Sequence, residues 1–236
     1  MNNSNSAYKS ILGAVGILGG LQVFNIIIAI VRVKVVAVLL GPAGVGLIGL
    51  FMSTIGIIQR MSSMGLNISA VRNLAEANGS ENLIRITRYY KALTRLLLVT
   101  GFIGAGFTFL LSPWLSQLTF GNNSYAIAFA WISISILFSQ ISSGYFTVFQ
   151  GLQRYTLLAK ATLMGSSVGL IIGLPLYYWF GIDAVVPNIL IASFVSLVFT
   201  RFYVQKIDLA PLKMSLKRTL VVGRDMVQFG FILNIT

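Results

Sequence analysis

Long apolar runs, each about as long as one bilayer crossing, limit what this sequence can fold into more than any other feature. Six runs share this character and are separated by short polar or glycine-containing breakers: about 11–40, 44–71, 94–112, 125–149, 157–180 and 184–203. A helix needs about 20 apolar residues to cross the hydrocarbon layer, and inside that layer it must satisfy its own backbone hydrogen bonds. The sequence therefore predicts an all-α polytopic membrane protein with six spans.

Composition excludes several classes of function. The 236 residues are 56% hydrophobic and 9% charged, with a mean hydropathy of +0.87, which is far from an ordinary soluble domain. Cysteine and histidine are absent, so disulfides, thiolate or imidazole metal sites, and Ser-His or Cys-His catalysis are excluded. We expect no metal and no cofactor.

Nucleotide-binding and acid–base motifs are also missing. Residues 44–49 match the dinucleotide pattern G-x-G-x-x-G, but no strand precedes them, and the chain has no G-x-x-x-x-G-K-[ST] phosphate loop. Of the five acids, only Asp225 lies near a possible span interior. Paired-carboxylate catalysis has no candidate pair, so we do not expect an enzyme.

Fourteen of the seventeen Lys and Arg residues lie on one side of the predicted spans. Arg32, Lys34 and Arg60 lie within apolar runs, and the other fourteen lie before the first span or in the connections after the second, fourth and sixth. The positive-inside rule makes that side the cytoplasm. The N-terminus is therefore predicted to be cytoplasmic. The net charge of +12 then indicates contact with anionic lipid, not nucleic acid.

The first predicted helix runs through Arg32 and Lys34 to Leu40, because Arg32-Val33-Lys34 lacks the residues that reverse a chain, whereas Gly41-Pro42-Ala43-Gly44 supplies them. This leaves Arg32 about 12 Å and Lys34 about 9 Å inside the end of their helix. On a continuous second helix, Arg60 would lie about 18 Å from Arg72, near the middle of the hydrocarbon layer.

Polar stripes accompany these cations. On the first helix Gln22, Asn25 and Arg32 share one face, with Lys34 nearly opposite; on the second, Arg60, Ser63 and Asn67 share a face, with Gln59 beside it. We expect the two faces to line one cavity, with Arg32, Lys34 and Arg60 binding substrate and the five uncharged residues lining it: Gln22, Asn25, Gln59, Ser63 and Asn67.

Simpler explanations of these residues stay open. Small and polar side chains also let helices pack closely in a bilayer. Arg60 would lie in the cytoplasmic interface if the second span stopped at Ile58, and Lys34 could extend to the outer surface.

A buried cation is costly unless an anion joins it, so the expected ligand is anionic. Arginine suits phosphate because its planar fork donates two parallel hydrogen bonds. A membrane-resident anion that needs a path across the bilayer is a phospho- or pyrophospho-lipid.

We expect three parts in the chain: a six-span lobe at 1–203, a cytoplasmic connector at 204–223, and the start of a seventh helix at 224–236, where a second lobe would begin.

Between the second and third spans, Ser80 or Asn82 is placed to cap a basic amphipathic helix lying in the headgroups.

Two motifs carry a family resemblance. Residues 33–49, V-K-V-V-A-V-L-L-G-P-A-G-V-G-L-I-G, and 64–76, M-G-L-N-I-S-A-V-R-N-L-A-E, resemble Wzx-type O-antigen and enterobacterial-common-antigen flippases of the multidrug/oligosaccharidyl-lipid/polysaccharide exporter superfamily. G-L-Q-R at 151–154 and G-S-S-V-G-L at 165–170 fit the same family. Such flippases often carry a basic residue before the G-P-x-G turn, where Lys34 stands.

The resemblance implies two six-helix lobes around a cationic central cavity. It also implies that the protein lies in the inner membrane of a bacterium and moves undecaprenyl-pyrophosphate-linked oligosaccharide outward across it by alternating access. The implied partners are that lipid-linked oligosaccharide, a C-terminal lobe, a polysaccharide polymerase and a chain-length regulator. The nearest alternatives are a multidrug or lipid II exporter of the same superfamily. Two alternatives from other classes are a membrane glycosyltransferase and a six-span permease subunit driven by a partner ATPase.

The charge distribution generates a topological prediction. Reporter fusions in the 78–88 segment and at 206–218 should report a cytoplasmic position, because both segments are basic, and fusions at 116–123 should report an external one. A cytoplasmic signal from Gly121 would contradict the six-span arrangement.

Overall fold

The computed structural model describes residues 2–63, 65–211, 214–215, 219, 222–224 and 226. Over this part of the chain the protein consists of helices joined by short turns and irregular segments, without strands. The helices in chain order are α1 (Asn2–Ser63), α2 (Leu66–Gly79), α3 (Leu83–Leu110), α4 (Ser112–Phe120), α5 (Ala126–Gly151), α6 (Tyr155–Phe180) and α7 (Val185–Val204). A 3-10 turn, Gly181–Ala184, joins α6 to α7. The expected start of a further helix at 224–236 lies outside the described residues, except for Arg224 and Met226.

Four helical segments are long and apolar enough to cross a membrane: Val15–Ser63, Leu83–Leu110, Ala126–Gly151 and Tyr155–Val204. The first and last contain 49 and 50 residues, about twice the length of one crossing. The prediction of an all-α polytopic membrane protein is confirmed.

α1 is a hairpin of two helical arms. Leu21 belongs to one hydrophobic cluster, Val36 and Phe51 to a second, and Leu66, just after α1, to the first again. A straight helix would place Leu21 and Leu66 about 68 Å apart, so the chain must reverse between them.

The reversal lies at Gly41, the one non-helical residue inside α1, with φ 68° and ψ −172°. Glycine has no Cβ, so it adopts this left-handed φ without strain, and Pro42 follows it. A Cβ at Gly44 would overlap Leu40, which keeps the turn tight. The predicted breaker at 41–44 is confirmed, as is the continuity of the first helix through Arg32 and Lys34 to Leu40.

The second predicted span, 44–71, is not one helix. α1 ends at Ser63, and α2 begins at Leu66 after Gly65, which has φ 68° and ψ 6°. A left-handed residue ends the i→i−4 hydrogen-bond ladder. The expected helical path from Arg60 to Arg72 is therefore wrong.

Two connections differ from expectation. Asn82 caps a helix as predicted, since its Oδ1 accepts from Arg85 N at 3.0 Å, but that helix is the start of α3 and continues to Leu110. The expected loop between the third and fourth spans contains α4, which begins with Pro113 in its first turn, where proline costs nothing.

The two hydrophobic clusters lie at opposite ends of the bundle. The first cluster lies at what we call the basic end, together with the connections at 80–82 and 152–154 and the residues after Val204. The second lies at what we call the far end, together with the Gly41 turn, α4 and the 3-10 turn. At the far end the rings of Phe51 and Phe129 meet edge to face at 5.3 Å between centroids.

α5 is the central helix and contacts α2, α3, α4 and α7. A Cβ at Gly144 would lie 2.5 Å from Leu97 Cδ1 on α3, and one at Gly151 would lie 2.5 Å from Leu74 Cβ and 3.1 Å from the Val71 carbonyl oxygen on α2. Small residues allow this approach, which is how helices associate in bilayers.

Gly151→Ala should therefore destabilise the protein by about 1–3 kcal/mol, because the added methyl meets backbone that cannot move aside. Gly106→Ala on α3 is the matched control, since its Cβ would meet nothing within 4 Å and alanine raises helix propensity by up to about 1 kcal/mol. Thermal unfolding in detergent measures both. Equal midpoints would contradict the close α2–α5 packing.

Candidate functional site

Arg60 lies in the last turn of α1 and its side chain is exposed. The depth of Arg60 in the bundle follows from its neighbour Ser62, which packs closely against Gly104 of α3. A Cβ added at Gly104 would lie 3.0 Å from Ser62 Cβ and 3.7 Å from Ile136 Cγ2 of α5. Gly104 is about 9 Å, and Ile136 about 15 Å, from the far end of its helix. Arg60 therefore lies within the apolar layer and away from the basic end.

Arg32 lies on the other arm of α1 and is half-buried. It interacts electrostatically with the hydroxyl of Tyr177 near the far end of α6. That hydroxyl accepts a hydrogen bond of 2.6 Å from Asn188 Nδ2 of α7, and both residues are buried. A buried polar pair on α6 and α7 therefore lies in the electrostatic neighbourhood of Arg32.

Lys34 and Gln22 are exposed, and Gln59 and Ser63 are half-buried. Ser63 Oγ donates to the Arg60 carbonyl at 2.9 Å, a local bond at the end of the helix. Within the described part of the chain, the side chains of Lys34 and Gln22 make no hydrogen bond to another helix.

Two of the expected lining residues instead bond to other helices. Asn67 Nδ2 donates to Ser143 Oγ at 2.9 Å, and Thr147 Oγ1 donates to Asn67 Oδ1 at 3.2 Å. Ser166 Oγ of α6 donates to Asn25 Oδ1 at 3.5 Å. Asn67 thereby fixes α2 to α5 with both ends of its amide.

The three cations are not in mutual contact. Counted along the arms from Gly41, Lys34 lies about 10 Å, Arg32 about 13 Å and Arg60 about 28 Å from the turn. They therefore mark successive depths along one hairpin instead of one compact cluster.

No carboxylate within the described residues lies within 4.0 Å of these cations; the salt bridge between Arg85 and Glu76, at 2.7 Å, lies at the exposed basic end. The same part of the chain contains no group of three or more residues able to hold a metal. An unpaired cation in an apolar layer costs several kcal/mol, so these side chains need a polar or anionic partner.

The comparison with known families decides the assignment. Residues 11–236 match the family described as polysaccharide biosynthesis protein. The chain belongs to this family. The suspected relationship to Wzx-type polysaccharide-lipid flippases and their exporter superfamily is thereby confirmed, and the protein is a multi-pass membrane protein of polysaccharide biosynthesis. No curated protein and no solved structure matches the chain significantly.

Sequence reasoning missed Tyr177 and Asn188 beside Arg32, and also Arg95, whose Nη1 donates to the Met214 carbonyl and to Thr219 Oγ1, both at 2.9 Å. An amide inside an apolar run was the available signal for Asn188. Arg95 looked like one of many topology-setting cations, and only its neighbours show that it holds the connector against α3.

The bond between Asn67 and Ser143 should be measurable as a coupling energy. Asn67→Ala and Ser143→Ala, combined in a double-mutant cycle, should give a coupling of about 0.5–1.5 kcal/mol in unfolding experiments, as for other hydrogen bonds between helices in bilayers. Asn67→Ala with Ser166→Ala is the control pair and should be additive. Additivity in both pairs would mean that Asn67 does not hold α2 to α5.

Proposed function

We propose that this polysaccharide biosynthesis protein is a flippase for undecaprenyl-pyrophosphate-linked oligosaccharide, an O-antigen or similar surface polysaccharide unit, and that it works by alternating access in the bacterial inner membrane with its N-terminus in the cytoplasm. Its action is transport, not catalysis. Arg32, Lys34 and Arg60 bind the pyrophosphate.

The observation that carries the proposal is Arg60: a cation at intramembrane depth, on the outside of the described bundle, with no described carboxylate beside it. Facing lipid, such a side chain is strongly unfavourable. Facing a water-filled cavity that receives an anionic substrate, it is stabilised and useful. The flippase family membership supports the second arrangement.

The three depths along the hairpin suit a moving anion. A pyrophosphate that passes from the cytoplasmic to the external side meets Arg60 first and then Arg32 and Lys34, about 15 Å further on. Arginine forks hold each phosphate in two hydrogen bonds, and the two sites can be occupied in turn as the cavity changes the side to which it opens. Tyr177, bonded to Asn188, interacts electrostatically with Arg32 at the second of these sites.

The uncharged residues have divided roles in this proposal. Gln22, Gln59 and Ser63 contact sugar or cavity water. Asn25 is hydrogen-bonded to α6 and Asn67 to α5. Both residues therefore mainly stabilise the packing of the helices that form the cavity wall. A second lobe, the polymerase and the chain-length regulator are the partners that complete the pathway.

The cations also separate this function from its nearest alternatives. A multidrug exporter for neutral or cationic compounds has no use for three intramembrane cations. A lipid II exporter shares the pyrophosphate, so the sugar is what distinguishes it from the flippase proposed.

Arg60 variants in the intact gene test the proposal. Losing one charge-assisted contact costs about 1.5–3 kcal/mol, or roughly ten- to a hundredfold in affinity. Arg60→Gln should therefore largely abolish surface polysaccharide in a strain lacking its own flippase, and Arg60→Lys, which keeps the charge but not the fork, should restore part of it.

Arg88→Gln is the matched control, because Arg88 is an exposed cation at the basic end. It should leave polysaccharide near the level of the unmodified protein. If Arg60→Gln supports that level too at equal membrane expression, Arg60 does not bind the substrate.

A further inference from the structure

A cavity of about 670 Å³ opens at the basic end of the bundle. Three connections form it: the α2–α3 turn, the α5–α6 turn and the residues directly after α7. None of the candidate site residues on α1 line it. Its volume lies in the range of small-molecule binding sites, and it is separate from the candidate site on α1.

The polar wall of this cavity carries two cations and one carboxylate, Arg154, Lys206 and Asp208, which leaves a net charge of +1. Lys206 is held in place, because its Nζ lies 4.8 Å from the ring centroid of Phe202 and 5.2 Å from that of Tyr203. Such cation–π contacts position the ammonium. The wall is therefore suited to an anion with a single negative charge.

The cavity also has an apolar part. Ile86 and Leu152 are buried in its floor, whereas Leu83 at its rim is 54% exposed and the adjacent Ile84 is 52% exposed. Large apolar side chains exposed beside lysines, arginines and tyrosines are typical of the boundary between headgroups and acyl chains. The rim thus borders lipid, and the cavity joins an apolar edge to a cationic wall.

We propose that this cavity binds the phosphodiester headgroup of a membrane phospholipid. The phosphate, with one negative charge, lies between Arg154 and Lys206, and the first carbons of the acyl chains lie against Leu83. A soluble phosphate has no apolar part to contact the rim. A pyrophosphate carries at least two negative charges, which is more than the net charge of +1 on the wall can neutralise. The proposal does not depend on the transport function.

Native mass spectrometry of the full chain in detergent, titrated with phosphatidylglycerol, tests this site. Arg154→Gln with Lys206→Gln should weaken lipid retention about tenfold. Arg88→Gln with Lys160→Gln is the matched control: it removes two exposed cations from the same end, outside the cavity, and should change retention less than about twofold. Arg154→Lys with Lys206→Arg keeps the charges and should retain most of the binding.

Two further measurements distinguish the sources of phosphate. Leu83→Asn should lower retention of the lipid, because it removes the apolar rim. Inorganic phosphate and glycerophosphoglycerol, which lack acyl chains, should not displace the lipid at millimolar concentration. Displacement by either, or equal losses in the two double Gln variants, would overturn the proposal.

Discussion

Polar groups inside a hydrocarbon layer have no water to bond to, and most features of this protein follow from that constraint. All described segments that cross the layer are helices. The hydroxyls of α5 bond to carbonyls of their own helix, as Ser133 does to Ala130 O at 2.6 Å and Ser142 to Phe138 O at 2.9 Å. Where a side chain cannot be satisfied locally, it reaches another helix, as Asn67 reaches Ser143 and Thr147.

The departures from this rule mark the places of interest. Asn188 Oδ1 and Gln140 Nε2 are buried side-chain atoms without a hydrogen-bond partner in the described part of the chain, and Asn188 belongs to the group around Arg32. Arg60 departs further, since it is charged and lies outside the packed bundle at intramembrane depth. Such residues persist in membrane proteins mainly where they serve a ligand or a cavity.

Much of this arrangement was predictable from local sequence. The Gly41-Pro42 turn was predictable because few residue types reverse a helix, and the Asn82 cap because an amide oxygen can accept from a free backbone N–H three residues on. The break at Gly65 was missed, since an isolated glycine in an apolar run is usually tolerated within the helix. The candidate site was predicted in part: the cations could be named from their positions in apolar runs, but whether they bind substrate stays a prediction.

The sequence by itself determined the class of protein, the turn of the first hairpin, the basic end, and the presence of three cations where lipid is expected, because hydropathy, turn chemistry and charge act over short stretches of chain. Only the tertiary structure decided that Arg32 lies beside Tyr177 and Asn188, that Asn67 is used to hold α2 on α5, and that Arg154 and Lys206 share a cavity with Leu83. These pairs are separated by 52 to 156 residues. Which of them meet depends on how the helices pack at small residues, a property of paired surfaces that no single stretch contains.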